Sequence, residues 1–584
     1  MHSKLCRLGG RDLPLRPTRI PSLLHKTMRT NRFSLLALVV LAAMPAALKA
    51  QTPTDAGGIQ QEQQRTLEYY QLQKRLQERP ADGDLIDDQT GKPGAPKVPE
   101  TTARVLINRI ATNPSEVLTP GEIEAITSKV TGREVTIQEL FDMIGALNAQ
   151  YKAKGCVTCQ AFLPPQKVEG GTVEIRLVEG KLGNVTIEGA TYIRDRFFLE
   201  RIQAKPGEVL DVQRLEKDLA FINNTNDVKT AASLKPGPTF GTVDAVIRAQ
   251  EPQRFGVTVF GDNAGRDEIG RNRLGLIFNA KSVFGLSDPL TVTASGADGT
   301  KAGSVGYSIP FTRWGTRAGV QYDASAIEIK SGPFEPLDVT GTASNLGFNL
   351  SQPVIAENQQ RVNVFVGYNT KDSITKFSDV PLTRADTRTF TLGFDAQRFT
   401  ASGFWYTRQF LTRGSSNFGG DLDFVKYNAD GLWTNTYRNG LTSVVRGSFQ
   451  LANEPRLPSF EQFFIGGMAT VRGYPEGLLI GARGYFVSGE LQMPILSTQL
   501  AGAGIPTGDR LRAVLFFDHG GVVPGGATGQ SFDWSDTLTS TGGGVLYNFT
   551  KYFSGRVMLG LPLAERGNAP RDWVVHVYVQ SLVY

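Results

Sequence analysis

The spacing of apolar residues along the chain changes character near residue 252. Before that point apolar positions recur at three- and four-residue intervals. Ile123, Ile126 and Val130 are one such set, Leu140, Ile144, Leu147 and Tyr151 a second, and Leu215, Leu219 and Ile222 a third. That spacing predicts amphipathic helices. Beyond residue 252 the period becomes two. Phe255, Val257 and Val259 alternate with Gly256, Thr258 and Phe260, and Leu274, Leu276 and Phe278 keep the same beat. Val362, Val364, Val366 and Tyr368 alternate with Asn363, Phe365 and Gly367, as Val557, Leu559 and Leu561 do with Arg556, Met558 and Gly560. Successive residues of a strand point to opposite faces, so this pattern predicts strands with one face in apolar surroundings.

The helical half divides further. Residues 58–79 are rich in helix formers and run without proline to Pro80, yet only Leu67, Tyr70 and Leu76 offer an apolar stripe. A helix polar nearly all round belongs in a wet cavity, bridges solvent, or frays. Residues 80–102 carry Pro80, Pro93, Pro96 and Pro99 with Gly83, Gly91 and Gly94, and read as a linker. Arg104–Ile110 reads as a strand and two helices follow, the second opened by a capping box of Thr136 and Glu139; strands around 157–163 and 172–178 close the unit. The order β-α-α-β-β then recurs: a strand at 185–187, a helix at 194–203, a helix after Asp211, and strands at 228–234 and 243–248. Two similar units predict a repeated α+β module, over 103–180 and 181–252.

Composition sharpens the boundary. Of 64 glycines in 584 residues, 19 precede residue 253 and 45 follow it; aromatic residues divide 11 to 43. With 62 Lys+Arg against 56 Asp+Glu the net charge is +6, which is no signal for nucleic acid at this length. Leu35–Leu48 is apolar for 14 residues, too short for a membrane-spanning helix, which needs about 20. It follows Lys26, Arg29 and Arg32 and ends in small residues, so residues 1–50 read as a secretory signal peptide cut after Ala50, with Met28 as an alternative start. An exported chain with 332 residues of alternating pattern fits a closed antiparallel barrel in an outer membrane, where only closure pairs every backbone group. At about 20 residues per strand and connection, residues 253–584 make 14–18 strands, centred on 16. A terminal aromatic, Tyr584, suits the last strand of such a barrel. A pair of β-sandwiches or a propeller is the soluble alternative.

Specific chemistry is concentrated in two short stretches. Residues 463–474 read FFIGGMATVRGY and residues 516–520 read FFDHG. The tetrad Val471, Arg472, Gly473 and Tyr474 and the pattern Phe516, Asp518, Gly520 together resemble the outer-membrane translocases and insertases that carry POTRA domains. Within that superfamily the chain resembles the two-partner secretion transporters, the haemolysin secretion/activation protein family. ALNAQYKAKGCVTCQAFLPPQ, followed by GGTVEIRLVEGKLGNVTIEG, is similar to the family's first POTRA domain running into its second. LEKDLAFINNTNDVKTAASLKPG is similar to the second, and GELQMPIL at 489–496 to the strand after the family's conserved loop.

The period-two pattern puts Phe516, Asp518 and Gly520 on one face of their strand and Leu515 and Phe517 on the other. Leu515 and Phe517 suit lipid, which turns Asp518 into the lumen. An arginine on a loop folded into that lumen meets a carboxylate in a charge-assisted, bidentate pair. The resemblance implies this arrangement: an inward-folded loop, 463–484, whose tip Arg472 contacts Asp518 on the inner wall, with Gly473 freeing the backbone and Tyr474 packing on the barrel. It also implies a pore-plugging helix at 58–79 and periplasmic POTRA domains that bind the unfolded substrate, with addition of a substrate strand to an open sheet edge as the expected mode. The implied partners are a secreted exoprotein with an N-terminal secretion domain, outer-membrane lipid, periplasmic chaperones and the barrel-assembly machinery. An assembly insertase is the alternative within the superfamily, and a passive solute porin a more distant one.

Other constellations are weak. Cys156 and Cys159 form a CxxC, but His519 and His576, the only histidines beyond the leader, lie in the barrel half. The pair reads as two small half-buried residues of a POTRA strand. In an extended segment they would stand about 10 Å apart, beyond disulfide reach, so a disulfide requires a local turn. His519 follows Asp518 but points to the opposite face. No G-x-S-x-G, H-E-x-x-H or G-x-x-x-x-G-K-[ST] is present. The expectation is therefore of no catalytic residues, no metal site, no cofactor and no nucleic-acid partner.

Overall fold

The computed structural model describes residues 55–75, 85–89, 104–156, 158–357, 359–495, 511–524, 536–548, 552–566 and 572–583. The leader at 1–50, residues 76–79 of the expected plug helix, most of the expected linker and Tyr584 lie outside the described residues.

Helix α1 (Ala56–Arg75) starts where Asp55 caps it, the Asp55 carboxylate accepting from the Gly57 N–H at 2.8 Å. Within the stretch expected to be a linker, Ile86–Asp88 form a short strand, β1. The first module contains β2 (Arg104–Ile107), β3 (Arg109–Thr112), α2 (Pro120–Thr127), β4 (Arg133–Thr136), α3 (Ile137–Ala153), β5 (Gln160–Phe162) and β6 (Thr172–Val178). Thr119 with Glu122, and Thr136 with Glu139, close a capping box at the start of each helix. The apolar face of α3, with Leu140, Ile144, Leu147 and Tyr151, packs on Val173, Ile175 and Leu177 of β6. In the sheet β3-β6-β5, β3 runs parallel to β6 and β5 antiparallel.

The cysteine pair departs from the extended, half-buried reading. Gly155, in the left-handed conformation at φ 82°, ends α3 and folds the chain back. The turn brings the Cα atoms of Cys156 and Cys159 to 5.4 Å, and the two form a disulfide buried in the module's core.

The second module comprises β7 (Lys181–Glu188), α4 (Asp195–Leu199), α5 (Val212–Thr225), β8 (Lys229–Pro236) and β9 (Thr242–Gln250). Its sheet order is β1-β8-β9-β7, so the piece of linker adds a fourth strand, parallel to β8, with Ile86 opposite Ala232. Leu85 and Ile86, apolar in a stretch of prolines, glycines and acids, pack on this module's core. That burial explains why a strand of three residues forms at all.

The barrel follows directly. Its strands are β10 (Phe255–Asp262), β11 (Arg273–Ala280), β12 (Leu290–Ala297), β13 (Thr300–Pro310), β14 (Arg317–Glu328) and β15 (Val339–Ala356). They continue as β16 (Gln360–Phe377), β17 (Val380–Phe399), β18 (Gly403–Ser416), β19 (Leu422–Thr436) and β20 (Thr442–Ala452). The last are β21 (Phe463–Ile465), β22 (Leu479–Pro494), β23 (Leu511–Pro524), β24 (Thr537–Asn548), β25 (Phe553–Pro562) and β26 (Val574–Leu582). Neighbours pair antiparallel and β26 closes on β10, with Asp262 opposite Tyr578. β21 extends the position that β20 occupies lower on β22, so the seventeen segments make sixteen staves. No described helix is long and apolar enough to cross a membrane. The outer wall is apolar, with Leu274, Leu276, Val557 and Leu559 exposed on it. The second module joins the barrel at the start of β10. The sixth connection at the opposite end is a long one, residues 453–478.

Candidate functional site: a loop tip held against the inner wall

Alternation along β23 sets up one half of the site. Leu515 and Phe517 face outward at 66 and 53% exposure, while Phe516 and Asp518 face inward and are buried. Gly520, two residues further on, leaves room for the loop: a Cβ there would stand 3.2 Å from Val471 and 2.8 Å from the Tyr485 carbonyl oxygen.

The sixth connection supplies the other half. It rises past Glu461, whose carboxylate is held by Lys371 at 2.6 Å and Lys426 at 2.7 Å, and pairs briefly as β21. It then reverses into the lumen at Gly466 and Gly467, both at positive φ. At the tip Gly473, with φ 88°, presses on Gly560 of β25; a Cβ on Gly560 would lie 2.5 Å from the Gly473 nitrogen. Two glycines are thus needed for one contact. Val471 and Tyr474 are fully buried with Phe463, Ile465, Phe486, Val522 and Leu538. The Tyr474 hydroxyl lies 2.9 Å from the carbonyl oxygens of Thr539 and Ala564.

Between these anchors Arg472 is wholly enclosed. Its Nε donates to Asp518 Oδ2 and its Nη2 to Asp518 Oδ1, both at 2.7 Å, and its backbone N–H donates to Oδ2 at 3.0 Å. Nη1 donates to Glu490 Oε1 at 2.5 Å and Nη2 to Ser488 Oγ at 3.0 Å. The guanidinium lies 3.7 Å from the centre of the Phe516 ring. A flat, forked cation thus meets two carboxylates in plane and an aromatic face out of plane, a set of contacts an ammonium group does not reproduce.

Three participants did not stand out in the sequence. Ser488 and Glu490 sit on β22, Ser488 directly opposite Asp518. The signal was present, since Val487, Leu491 and Met493 of the same strand are lipid-facing and alternation turns Ser488, Glu490 and Gln492 inward. His576 of β26 is buried, and its Nε2 accepts from the Gly473 N–H at 3.0 Å. His519 takes no part in the clamp; its ring nitrogens lie 2.9 Å from the Tyr485 hydroxyl and 2.8 Å from Thr539 Oγ1.

Helix α1 lies in the lumen against the same loop. Gly57 and Gly58 let it approach Ser459, Phe460 and Phe464. Arg65 donates to the Phe464 carbonyl oxygen at 3.3 Å, Glu62 pairs with Arg266 at 2.7 Å, and Ser459 donates to Asp55 at 2.5 Å. Tyr70 stacks on Tyr578 at 3.6 Å and donates to the Met468 sulfur at 3.0 Å. Its opposite side meets β14, β15 and β16. A helix with few apolar residues thus meets polar partners on both loop and wall, where Ser325 Oγ donates to Gln60 Oε1 at 3.3 Å.

Comparison with known proteins agrees with this architecture. The family model of the haemolysin secretion/activation protein ShlB/FhaC/HecB matches residues 241–545, and that of the POTRA domain, ShlB-type, matches 105–180. The heme/hemopexin transporter protein HuxB of Haemophilus influenzae strain 86-028NP is 24% identical over 525 residues, covering 84% of this chain and 89% of that protein. The outer membrane transporter CdiB of Escherichia coli O6:K15:H31 is 23% identical, covering 91% of this chain and 90% of its own. The solved structure of CdiB from Escherichia coli superposes with a TM-score of 0.63 at 21% identity, over 91% of this chain and 99% of that one. The chain belongs to the haemolysin secretion/activation protein family, outer-membrane transporters of two-partner secretion whose POTRA domains lie in the periplasm.

Proposed function

We propose that the transporter is held closed by two elements in one lumen, the loop tip locked through Arg472 to Asp518 and the plug helix α1. Export of the partner polypeptide requires both to move. The observation that carries this reading is the wholly buried Arg472, clamped by Asp518 and Glu490 at the junction of loop and wall. A charged clamp of this kind is costly to leave half made, so the loop has one well-defined seated position. The tetrad Val471–Tyr474 forms the lock's tip, and Phe516, Asp518 and Gly520 form its seat.

The modules over 103–180 and 181–252 receive the unfolded cargo. Strand addition uses a free sheet edge. In the first module Ala161 of β5 offers its backbone groups to the Asn148 amide, at 2.6 and 3.2 Å, which closes that edge. In the second module the outer edge of β8 carries β1, so a cargo strand binding there takes the place of residues 85–89. Those residues follow the plug helix in the chain. The polypeptide is a channel and not an enzyme on this reading: it takes lipid around its outer wall, needs chaperones and the barrel-assembly machinery for its own insertion, and draws on folding of the cargo outside the cell. The name of the relative HuxB, a heme/hemopexin transporter, points to a haem-scavenging cargo, and an adhesin or cytolysin fits the same channel.

The test is co-expression with a large β-helical exoprotein from the same source. Surface appearance of that protein is expected with the full chain and lost on deletion of residues 103–252. Export that survives the deletion would rule out the proposed role of the modules.

A further inference from the structure

The disulfide sits at a revealing place. The eight residues from Gly155 to Phe162 touch the second module or the joint at three points, all within or beside the loop that the Cys156–Cys159 bond closes. On the near side, a Cβ at Gly155 would stand 3.2 Å from the Gln213 side chain of α5. Inside the loop, Thr158 lies against Gly180, one of the two residues between β6 and β7, where a Cβ would come within 2.7 Å of the Thr158 side chain. On the far side, the ring of Phe162 meets Phe240, at the tip of the β8–β9 hairpin, edge to face at 6.4 Å. The joint itself is tied to α3, the helix that Gly155 ends: Tyr151 donates to Glu179 at 2.9 Å, and Glu179 accepts the Glu116 N–H at 2.7 Å. Val209 of the second module packs on the first module's core, in which both sulfurs lie.

We infer that the Cys156–Cys159 disulfide braces the joint between the two POTRA domains and so sets their relative orientation. The bond spans only three residues, so the chain entropy it removes from the unfolded state is small compared with that of a long loop. Its effect is positional. Without it the short separation of the two Cα atoms rests on the Gly155 turn alone, and as that turn relaxes toward the extended spacing Thr158 moves off Gly180 and Phe162 off Phe240. Formation of the bond is an oxidation by two electrons. One thiolate attacks the disulfide of a periplasmic thiol–disulfide oxidase, releasing one oxidase thiolate; the second cysteine, having lost its proton, displaces the other, leaving the oxidase as a dithiol. Both sulfurs are buried in the folded domain, so this exchange occurs before the first module closes.

The experiment uses the full chain in lipid, with spin labels introduced at Lys129→Cys in the first module and Lys205→Cys in the second, both exposed positions. The parent is expected to give a narrow distance distribution, and Cys156→Ala with Cys159→Ala a broadened and shifted one, with the barrel intact. Thiol labelling of the denatured chain without the label sites and without reductant is expected to find no free cysteine at 156 and 159. Two labelled thiols there, or a distribution unchanged by the double substitution, would overturn the inference. Should the double variant unfold the first module, Gly180→Ala decides alone. It keeps the bond and crowds Thr158 from the other side, and an unchanged distribution there is equally fatal. Neither readout depends on export, so the inference stands or falls separately from the transport function.

Discussion

In the first POTRA domain Leu147, Val173 and Ile175 meet in the middle, and the ion pair of Arg133 and Glu139 stands in water with side chains 48 and 39% exposed. In the barrel the arrangement is inverted. Leu274, Leu515 and Phe517 form the outside, and Arg472, Asp518, Glu490, Arg273, Asp262, Lys426 and Glu461 are buried within. The same interaction, a cation on a carboxylate, therefore does two different jobs. At a surface it contributes about 0–1 kcal/mol. Enclosed, each charge exists only because its partner does, and removing one partner costs about 3–5 kcal/mol. The difference teaches where this chain stores its specificity: in apolar shape for the periplasmic domains, in paired charge for the pore.

The sharpest way to break the contrast is Arg472→Ala. It leaves Asp518 and Glu490 facing each other with no cation in the clamp, a loss of about 3–5 kcal/mol from the seated loop. The expected outcome is a barrel that still inserts and remains heat-modifiable on gels, with export of the co-expressed partner abolished. Arg472→Lys should restore little, because an ammonium reproduces neither the bidentate contact nor the stacking on Phe516. Unchanged export in Arg472→Ala would remove the lock from the mechanism.

A smaller effect is expected from shape alone at the same site. Gly560→Ala puts a Cβ 2.5 Å from the Gly473 nitrogen, and the backbone of both residues is held, Gly560 in the β24–β25 ladder and Gly473 by His576. Overpacking of this kind costs about 1–3 kcal/mol. The tip should unseat part of the time although the Arg472, Asp518 and Glu490 side chains are unchanged, seen as more frequent open events in planar-bilayer recordings. A closed-state record indistinguishable from the parent would mean that charge, not fit, carries the whole lock.

How much of this was legible beforehand follows from the range of each signal. Period two is local, so the inward turn of Asp518 and the outward turn of Leu515 could be read from six residues. The capping box of Thr136 and Glu139 is written in four. That Arg472 approaches Asp518 could be read only through resemblance, because 46 residues separate them. Glu490 was legible as inward-facing but not as a second carboxylate on Arg472, since that depends on the register of β22 against β23. His576 depends in the same way on where the loop tip comes to rest. β1 was missed because a strand of three residues owes its existence to the edge of β8, some 150 residues further on. The cysteine turn was missed because spacing suggested extension, and a single left-handed glycine reversed it.

The smallest effect tests the periplasmic side. Lys154 and the Thr119 N–H hold the Glu122 carboxyl down to about 2, and the Thr136 N–H and Arg133 hold Glu139 down to about 2. Burial alone would raise Glu179, but Ser115 Oγ and the Glu116 N–H outweigh it and leave the group below its ordinary value. A carboxyl group whose folded pKa lies below its unfolded value stabilises the fold above the unfolded value, and that support is lost as pH falls through the folded one. For Glu122 and Glu139 the window runs from about 4.5 down to about 2. Both side chains are only half-buried, at 31 and 39% exposure, so the loss is partial, a loosening of the first turns of α2 and α3 and not collapse of the domain. Pepsin, active across this window, should cut within 120–153 more readily at pH 2.5 than at pH 4.5 after correction against an unstructured peptide. Glu139→Gln should give elevated cleavage already at pH 4.5. Equal cleavage at both pH values would mean that the apolar core of the first domain holds its helices without their caps.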